Sequence, residues 1–516
     1  MGSEVLASER LRSQPPQDSP SSVPLSILDA GCARFSATGA IWVYDESPCS
    51  QEELPRCLKT SFRSALDKFP HFAGQLHWAP AKQDGDHTTR HGRAMITFGS
   101  DHDPGVEWTE IKLNRKSSDL APDASQRAAE HKIWHGTEFP QSDLMASTTR
   151  LALSDMKNFE GLPGMLVQVT ILEDGAFAVA IKMSHLLADA STLVLFVRHW
   201  AEANQTLQQG SPTNAVDLPV FDPQILDARA SGDIESANAD GNLIQIASSL
   251  PIHRFDWWAT DAKGYPPFMV PMTENSKPTD SSILQKAAET SGKIPPWKTW
   301  DFSRPVTHAV IHFSPAQIEA MRSKVHETTQ GPSRLDAILA QIWSAINRAR
   351  GLGESDDEVF LNMTMGVRAR VDPPLANSFV GSPLIIAHAQ STARDAANGS
   401  SAALAMSIRA CVSKFTPEAL GAVLHKSAHE VSPQRFWQAF LGREHILVTA
   451  WLRLGENEVD LFGNGHLPRY VHPIMPLVDG CLLVVDGGPK QGGMELSLYL
   501  DSEAMEKLLR DPVLFP

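Results

Sequence analysis

The segment Ser184-His185-Leu-Leu-Ala-Asp189-Ala190 holds the residue types and spacing best suited to chemistry. A neutral imidazole is the commonest general base near physiological pH. The spacing places a carboxylate about one helical turn further on. His-x-x-x-Asp is not specific by itself: with 19 His in the chain, about one such pairing arises by chance. Context adds weight, because His185 follows an alternating apolar run and precedes a helical pattern, a junction where side chains can project into a cleft. On spacing alone, a buried His satisfied by backbone hydrogen bonds remains the alternative.

Other candidates are weaker. His71 with His77, or His308 with His312, could be metal ligands in a hydrolase. The second pair shares one face of a strand, but no Glu completes a known zinc site, so no metal is expected. Ser333 opens a helical pattern, where a phosphate could meet the positive end of the helix dipole. Acting only as an N-cap is the simpler alternative. No phosphate-cradling loop of the P-loop or dinucleotide type lies between a strand and a helix.

The elements that must position these groups are legible from periodicity. Met165–Leu172 and Ala176–Ser184 are apolar runs joined by Glu173-Asp-Gly175, a hairpin signal. In the second run Phe177, Val179, Ile181 and Met183 alternate with small or polar residues, so the strand ends at His185. From Ala190 to Asn204, Leu193, Phe196, Val197 and Trp200 form one helical stripe. Ala37–Tyr44 reads as a strand and Glu52–Phe69 as a helix stopped by Pro70. Residues 206–305 lose periodicity and are punctuated by Pro, as in a crossover between two domains, with Trp257-Trp258 and Phe268-Met-Val270 as points where it could pack down. Order resumes with a strand at Val306–Phe313, a helix capped by Ser314 and Gln317, and a helix over Ser333–Ala349. Strands at Val359–Val367, Leu384–Ala389, Ile446–Trp451, Gly480–Asp486 and Met494–Leu500 follow, with helices at Ala402–Phe415 and Ser502–Arg510. The expected organisation is a disordered tail over 1–20, an N-terminal domain over 21–205, the crossover, and a C-terminal domain over 306–516, all in the mixed α/β class.

Composition excludes several functions. The 516 residues are 42% hydrophobic and 20% charged, ordinary for a folded globular chain. A formal charge of −15 without a Lys/Arg-rich run argues against nucleic-acid binding. The five Cys are scattered, with no C-x-x-C pair, so neither a disulfide framework nor a zinc ribbon is expected. No apolar run reaches the roughly 20 residues of a membrane span. Met1–Pro20 lacks the apolar core of a secretory signal, and Leu6 stands where a myristoylation signal wants Ser or Thr. The expectation is a cytoplasmic monomer.

The order of motifs resembles the BAHD superfamily of coenzyme A-dependent acyltransferases. Pro24-Leu-Ser26 with Asp29 is similar to the family's opening segment, and Phe69-Pro-His-Phe-Ala-Gly74-Gln-Leu76 to its FPxxAGRL stretch, with Gln75 for Arg. His185-x-x-x-Asp189 matches its defining motif, although Ala190 stands where the family has Gly. Ser333–Trp343 resembles the family's first C-domain helix. Val367-Arg368-Ala-Arg370 with Pro373-Pro374 and Gly381 resembles R-x-R…PP…GN, with Ser382 for Asn. Thr449-Ala450-Trp451 resembles TSW. Asp460-Leu-Phe-Gly463-Asn-Gly465 resembles DFGWG with one extra residue and Asn464 for Trp. Length and the long crossover are more similar to fungal secondary-metabolism members, loosely the trichothecene O-acetyltransferases.

The resemblance implies two chloramphenicol-acetyltransferase-like domains with the active site in a channel between them. It implies acyl-coenzyme A as co-substrate, no permanent cofactor, and a small-molecule alcohol or amine as acceptor, with acetyl the default acyl group. His185 would be the general base. Asp189 would point away and pair with an Arg, first Arg368 and second Arg370. Thr449 and Trp451 would donate to the oxyanion, or else only pack at a strand end. Asp460, Gly463 and Gly465 would be structural, while Ser333 and Gly381 are weak candidates for coenzyme A contacts. A condensation-type domain on the same fold usually has His-His-x-x-x-Asp-Gly, which Ser184 and Ala190 do not match. A non-catalytic binding protein retaining the fold is a further alternative, which the intact His185 disfavours.

Overall fold

The computed structural model describes residues 2–515 except 15–18, 83–84, 130–131, 154–158, 213, 291 and 326–330. The first half contains the strands β1 (Ser3–Leu11), β2 (Thr38–Tyr44), β3 (Val106–Leu113), β4 (Ile133–Trp134), β5 (Met165–Leu172) and β6 (Phe177–Met183). The second half contains β7 (Val306–Phe313), β8 (Glu358–Gly366), β9 (Leu384–Thr392), β10 (His445–Trp451), β11 (Tyr470–Pro473), β12 (Cys481–Asp486) and β13 (Met494–Asp501). They assemble into a six-stranded sheet, β1-β3-β5-β6-β2-β11, and a seven-stranded sheet, β9-β8-β10-β12-β13-β7-β4. The halves trade strands. β11 from the second half closes the first sheet against β2, and β4 from the first half closes the second sheet against β7.

Helix α1 (Leu54–Leu66) and helix α2 (Ala190–Gln209) lie together over the first sheet. Leu58, Phe62, Phe196 and Trp200 fill the gap between them and the sheet. The Trp200 indole, buried in that layer, donates to Leu58 O and Ser61 Oγ, each at 3.0 Å, so its polar edge is not stranded in apolar surroundings. In the second half α3 (Arg334–Ala349) and α4 (Ser401–Ser413) cover the larger sheet, with Ile338, Ile342 and Ile346 of α3 buried at helical spacing. The hairpin expected at Glu173-Asp-Gly175 joins β5 and β6 in antiparallel register, with Gly175 at a φ of 85°. The capping box expected at Ser314 and Gln317 is present, with Gln317 Oε1 accepting from Ser314 N at 2.9 Å.

The expected disorder of residues 1–20 is corrected for its first part. β1 pairs antiparallel with β3, and Lys59 and Arg63 reach Glu9 from α1. Most β1 side chains are exposed, so no apolar alternation marks the strand; the backbone ladder holds it. Residues 15–18 of that segment lie outside the described residues. The stretch after α2 also contains more structure than its texture suggests. It carries the helices Gly241–Ser249 and Ser281–Ala288 and a small core of its own around Phe255, Trp257, Trp258, Tyr265 and Trp297. Trp257 and Trp258 are buried there, whereas Phe268 is exposed.

Candidate active site

His185 sits in the turn between β6 and α2, half-buried. Its ring meets the edge of Phe35 at a centroid distance of 5.4 Å. Ser382 fixes the ring's orientation. The Ser382 hydroxyl donates to the His185 backbone oxygen at 2.5 Å, so its lone pairs face His185 Nδ1 at 3.2 Å. With the hydroxyl hydrogen committed, Nδ1 must be the protonated nitrogen and Nε2 the free base. Burial pushes the imidazole below the ordinary histidine value, opposed by the hydrogen bond to its own backbone carbonyl and by Asp189. The ring is therefore neutral at neutral pH.

Ser382 is held in turn. Its backbone N–H donates to Asp29 Oδ1 at 2.6 Å, and Ser26 Oγ donates to Asp29 Oδ2 at 2.6 Å. Burial raises the Asp29 carboxyl to about 6 against these bonds. The sequence assigns neither residue a role: Asp29 falls within the opening motif, and Ser382 stands where the family has Asn. Ser-x-x-Asp at 26–29 is a legible capping box, but the contact it makes 353 residues away is not.

Asp189 turns away from the base. It caps α2 by accepting from Thr192 N at 3.0 Å, and it takes Arg368 Nη1 and Nη2 at 2.5 and 3.0 Å. Arg368, and not Arg370, is the partner, and its Nη2 also donates to Phe379 O at 3.0 Å. Gly381 belongs to this clasp. Its carbonyl accepts from Asp189 N and Thr192 Oγ1, and its N–H donates to Thr192 Oγ1. Gly381 is buried at a φ of 141°, and a Cβ there would stand 3.0 Å from Asp29 Oδ1. The backbone N–H and carbonyl of Gly381, the weak candidate for a coenzyme A contact, are thus both engaged by protein groups. Ser333 caps α3 in a capping box with Asp336, whose carboxylate also pairs with Arg409. The positive end of that helix is already met by a carboxylate, and Ser333 does not line the chamber at His185.

That chamber holds about 290 Å³ and is walled by both halves: Phe35 and His185 from the first, Thr449, Trp451 and Leu384 from the second. Thr449 and Trp451 lie at the C-terminal end of β10, which runs parallel to β8 and β12. The Thr449 hydroxyl and the Trp451 indole N–H have no hydrogen-bond partner among the described residues and are available to a ligand. A base on one wall and two donors on another can deprotonate a nucleophile and stabilise a developing oxyanion. A cavity of about 600 Å³ adjoins through Arg34, Phe35 and Trp437, and a smaller one of about 100 Å³ adjoins through Phe35, Leu384 and Gln438.

The sequence model of the Transferase family matches residues 138–250 and 268–514, which hold both the His185 turn and the clasp. The chain belongs to this family, the BAHD transferases. The acyltransferase AFT15-1 of Alternaria alternata is 25% identical over 515 residues, covering 96% of this chain and 94% of that one. The acyltransferase abl6 of Leptosphaeria maculans is 23% identical over 527 residues, covering 99% and 98%. Among solved structures, Fusarium graminearum TRI101 complexed with coenzyme A and deoxynivalenol superposes with a TM-score of 0.66 at 14% identity, covering 95% of this chain and 98% of that one. Vinorine synthase superposes with a TM-score of 0.60 at 15% identity, covering 100% and 97%.

In this BAHD transferase the second signature stands far from His185. Asp460 accepts from the backbone N–H of Phe462, Gly463 and Gly465 at 3.1, 2.8 and 2.6 Å, forming a tight turn with Gly463 and Gly465 at positive φ. Asn204 and Gln205 of α2 donate to the Leu461 and Asp460 carbonyls. The 20-residue helix α2 is about 30 Å long, with His185 at its start and the Asp460 turn at its other end. The turn anchors the far end of the helix that follows His185. The four alternative metal ligands go elsewhere: His71 stacks on Phe221, His77 bonds Thr97, His308 bonds Ser497, and His312 lies beside Glu495. No group of three or more metal-ligating side chains that could hold an ion occurs among the described residues. No helix among them is long and apolar enough to cross a membrane.

Proposed function

We propose that this BAHD transferase moves an acyl group, by default acetyl, from acyl-coenzyme A to a hydroxyl of a secondary metabolite through a direct ternary complex. The observation that carries this reading is a neutral imidazole, with Nε2 free, facing a chamber whose other wall presents two unpaired donors. His185 Nε2 removes the hydroxyl proton as the oxygen attacks the thioester carbonyl. Thr449 and Trp451 donate to the oxyanion of the tetrahedral intermediate. Collapse breaks the C–S bond, and the imidazolium returns its proton to the departing thiolate. Donor and acceptor enter from the two adjoining cavities, so binding replaces a bimolecular encounter with a positioned one.

The test is a panel of acyl-coenzyme A donors against neutral hydroxylated metabolites, following coenzyme A release and the product mass. Product should grow by one acyl group without a burst of acylated enzyme. A covalent acyl-enzyme, or no release with any donor, overturns the reading. The pH profile of kcat/KM adds a second check. The base works when neutral and its folded pKa is depressed below 6.5. The rate should therefore be flat above neutrality and fall as pH drops through an apparent value under 6.5. A limb centred above 7 contradicts a desolvated His185.

A further inference from the structure

Arg34 borders both the His185 chamber and the adjoining cavity of about 600 Å³. Its guanidinium lies 4.2 Å from the centroid of Trp257 and donates through Nη2 to Thr273 Oγ1 at 3.1 Å. Nη1 is buried and has no partner, and no carboxylate pairs with the group among the described residues. A buried guanidinium without a counter-charge is costly, and such groups in native sites ordinarily have an anion. Burial already lowers its pKa to about 10.

The surroundings point the same way. The larger cavity is bordered by Arg34, Arg150 and Lys182 and by no Asp or Glu, in a chain whose formal charge is −15. Arg150 and Lys182 form no ion pair among the described residues. In the His185 chamber the sole acidic residue, Asp189, is already taken by Arg368. The remaining walls are largely apolar, with Trp257, Met269, Met272 and Trp437 bordering the cavity.

We infer that one of the two substrates carries a carboxylate close to its reacting centre, and that the Arg34 guanidinium, on the wall shared by the two spaces, receives it. The inference rests on the acyl-transfer reading and narrows its substrate class. A coenzyme A phosphate does not fit the position. Arg34 lines the same chamber as His185, whereas the phosphates of coenzyme A lie a whole pantetheine arm from the thioester. The carboxylate therefore belongs either to the acyl group or to the acceptor, and in both cases a planar guanidinium edge suits it.

The test has two arms, each comparing an acid with a neutral counterpart. The donor arm sets malonyl-coenzyme A against acetyl-coenzyme A. The acceptor arm sets 12-hydroxydodecanoate and 4-coumarate against their methyl esters. Binding is read by calorimetry and turnover by coenzyme A release. In one arm the native protein should prefer the acid at least tenfold. Arg34→Gln, which keeps a donor for Thr273, should remove that preference, and Arg34→Lys should restore part of it. Lys182→Gln, which leaves the Thr273 contact untouched, should reduce it two- to threefold and serves if the Arg34 variants do not fold. No tenfold preference in either arm, or its survival in folded Arg34→Gln, overturns the inference. Absence of turnover with every pair strikes the acyl-transfer reading instead, because calorimetry still reports the acid preference.

Discussion

His185→Ala should lower kcat/KM by about 10²- to 10⁴-fold, the span associated with losing a positioned general base. The fold should hardly notice. The ring is half-buried, and among the described residues its ring partner is Phe35 and its side-chain hydrogen-bond partner Ser382. The Ser382 hydroxyl keeps its bond to the backbone oxygen of residue 185 whatever the side chain there. Residual rate would come from juxtaposition of the two substrates, which the substitution leaves in place. The measurement is single-turnover acyl transfer beside a thermal melt. A folded variant retaining more than a tenth of the native rate would remove His185 from the chemistry.

Arg368→Ala should be the most damaging change to stability, by about 3–5 kcal/mol. It strips a two-point ion pair from a site where both partners are nearly sealed from water. It also leaves the Phe379 carbonyl without two donors and Gly381 O without one. Asp189 would keep only its cap on α2, a poor substitute for a lost counter-charge. Asp189→Asn should cost less, because a neutral amide needs no counter-charge, yet it should also impair folding or the geometry at the base. The double change Asp189→Asn with Arg368→Gln should cost less than the sum of the two single ones. Urea unfolding midpoints decide the matter. A loss below 1 kcal/mol in Arg368→Ala would mean the pair is incidental.

The sequence is most readable where the relevant bond is local. An Asp-Gly turn between apolar runs marks the β5–β6 hairpin, and the switch from period two to helical spacing marks the turn that carries His185. Ser333 with Asp336 and Ser314 with Gln317 close over three residues, and each shows in the order of residue types. It is least readable where partners are distant and short. β4 has two residues and β11 four, too few for any periodicity, and each pairs with the opposite half. The grip of Ser382 on His185 spans 197 residues. Arg34 shows the same limit from another direction: nothing in its neighbours announces a guanidinium left half unsatisfied beside a base. The crossover misleads because its aromatics cluster in space without repeating along the chain.

The traded strands constrain how molecules move through the protein. Each sheet ends on a strand that the other half supplies, so the two halves cannot swing apart like a clam without tearing two ladders of backbone bonds. Entry and exit must then run through openings of fixed bore, widened only by side chains such as Phe35 and Trp437 turning aside. The girth and flexibility of the visitor then limit what can pass.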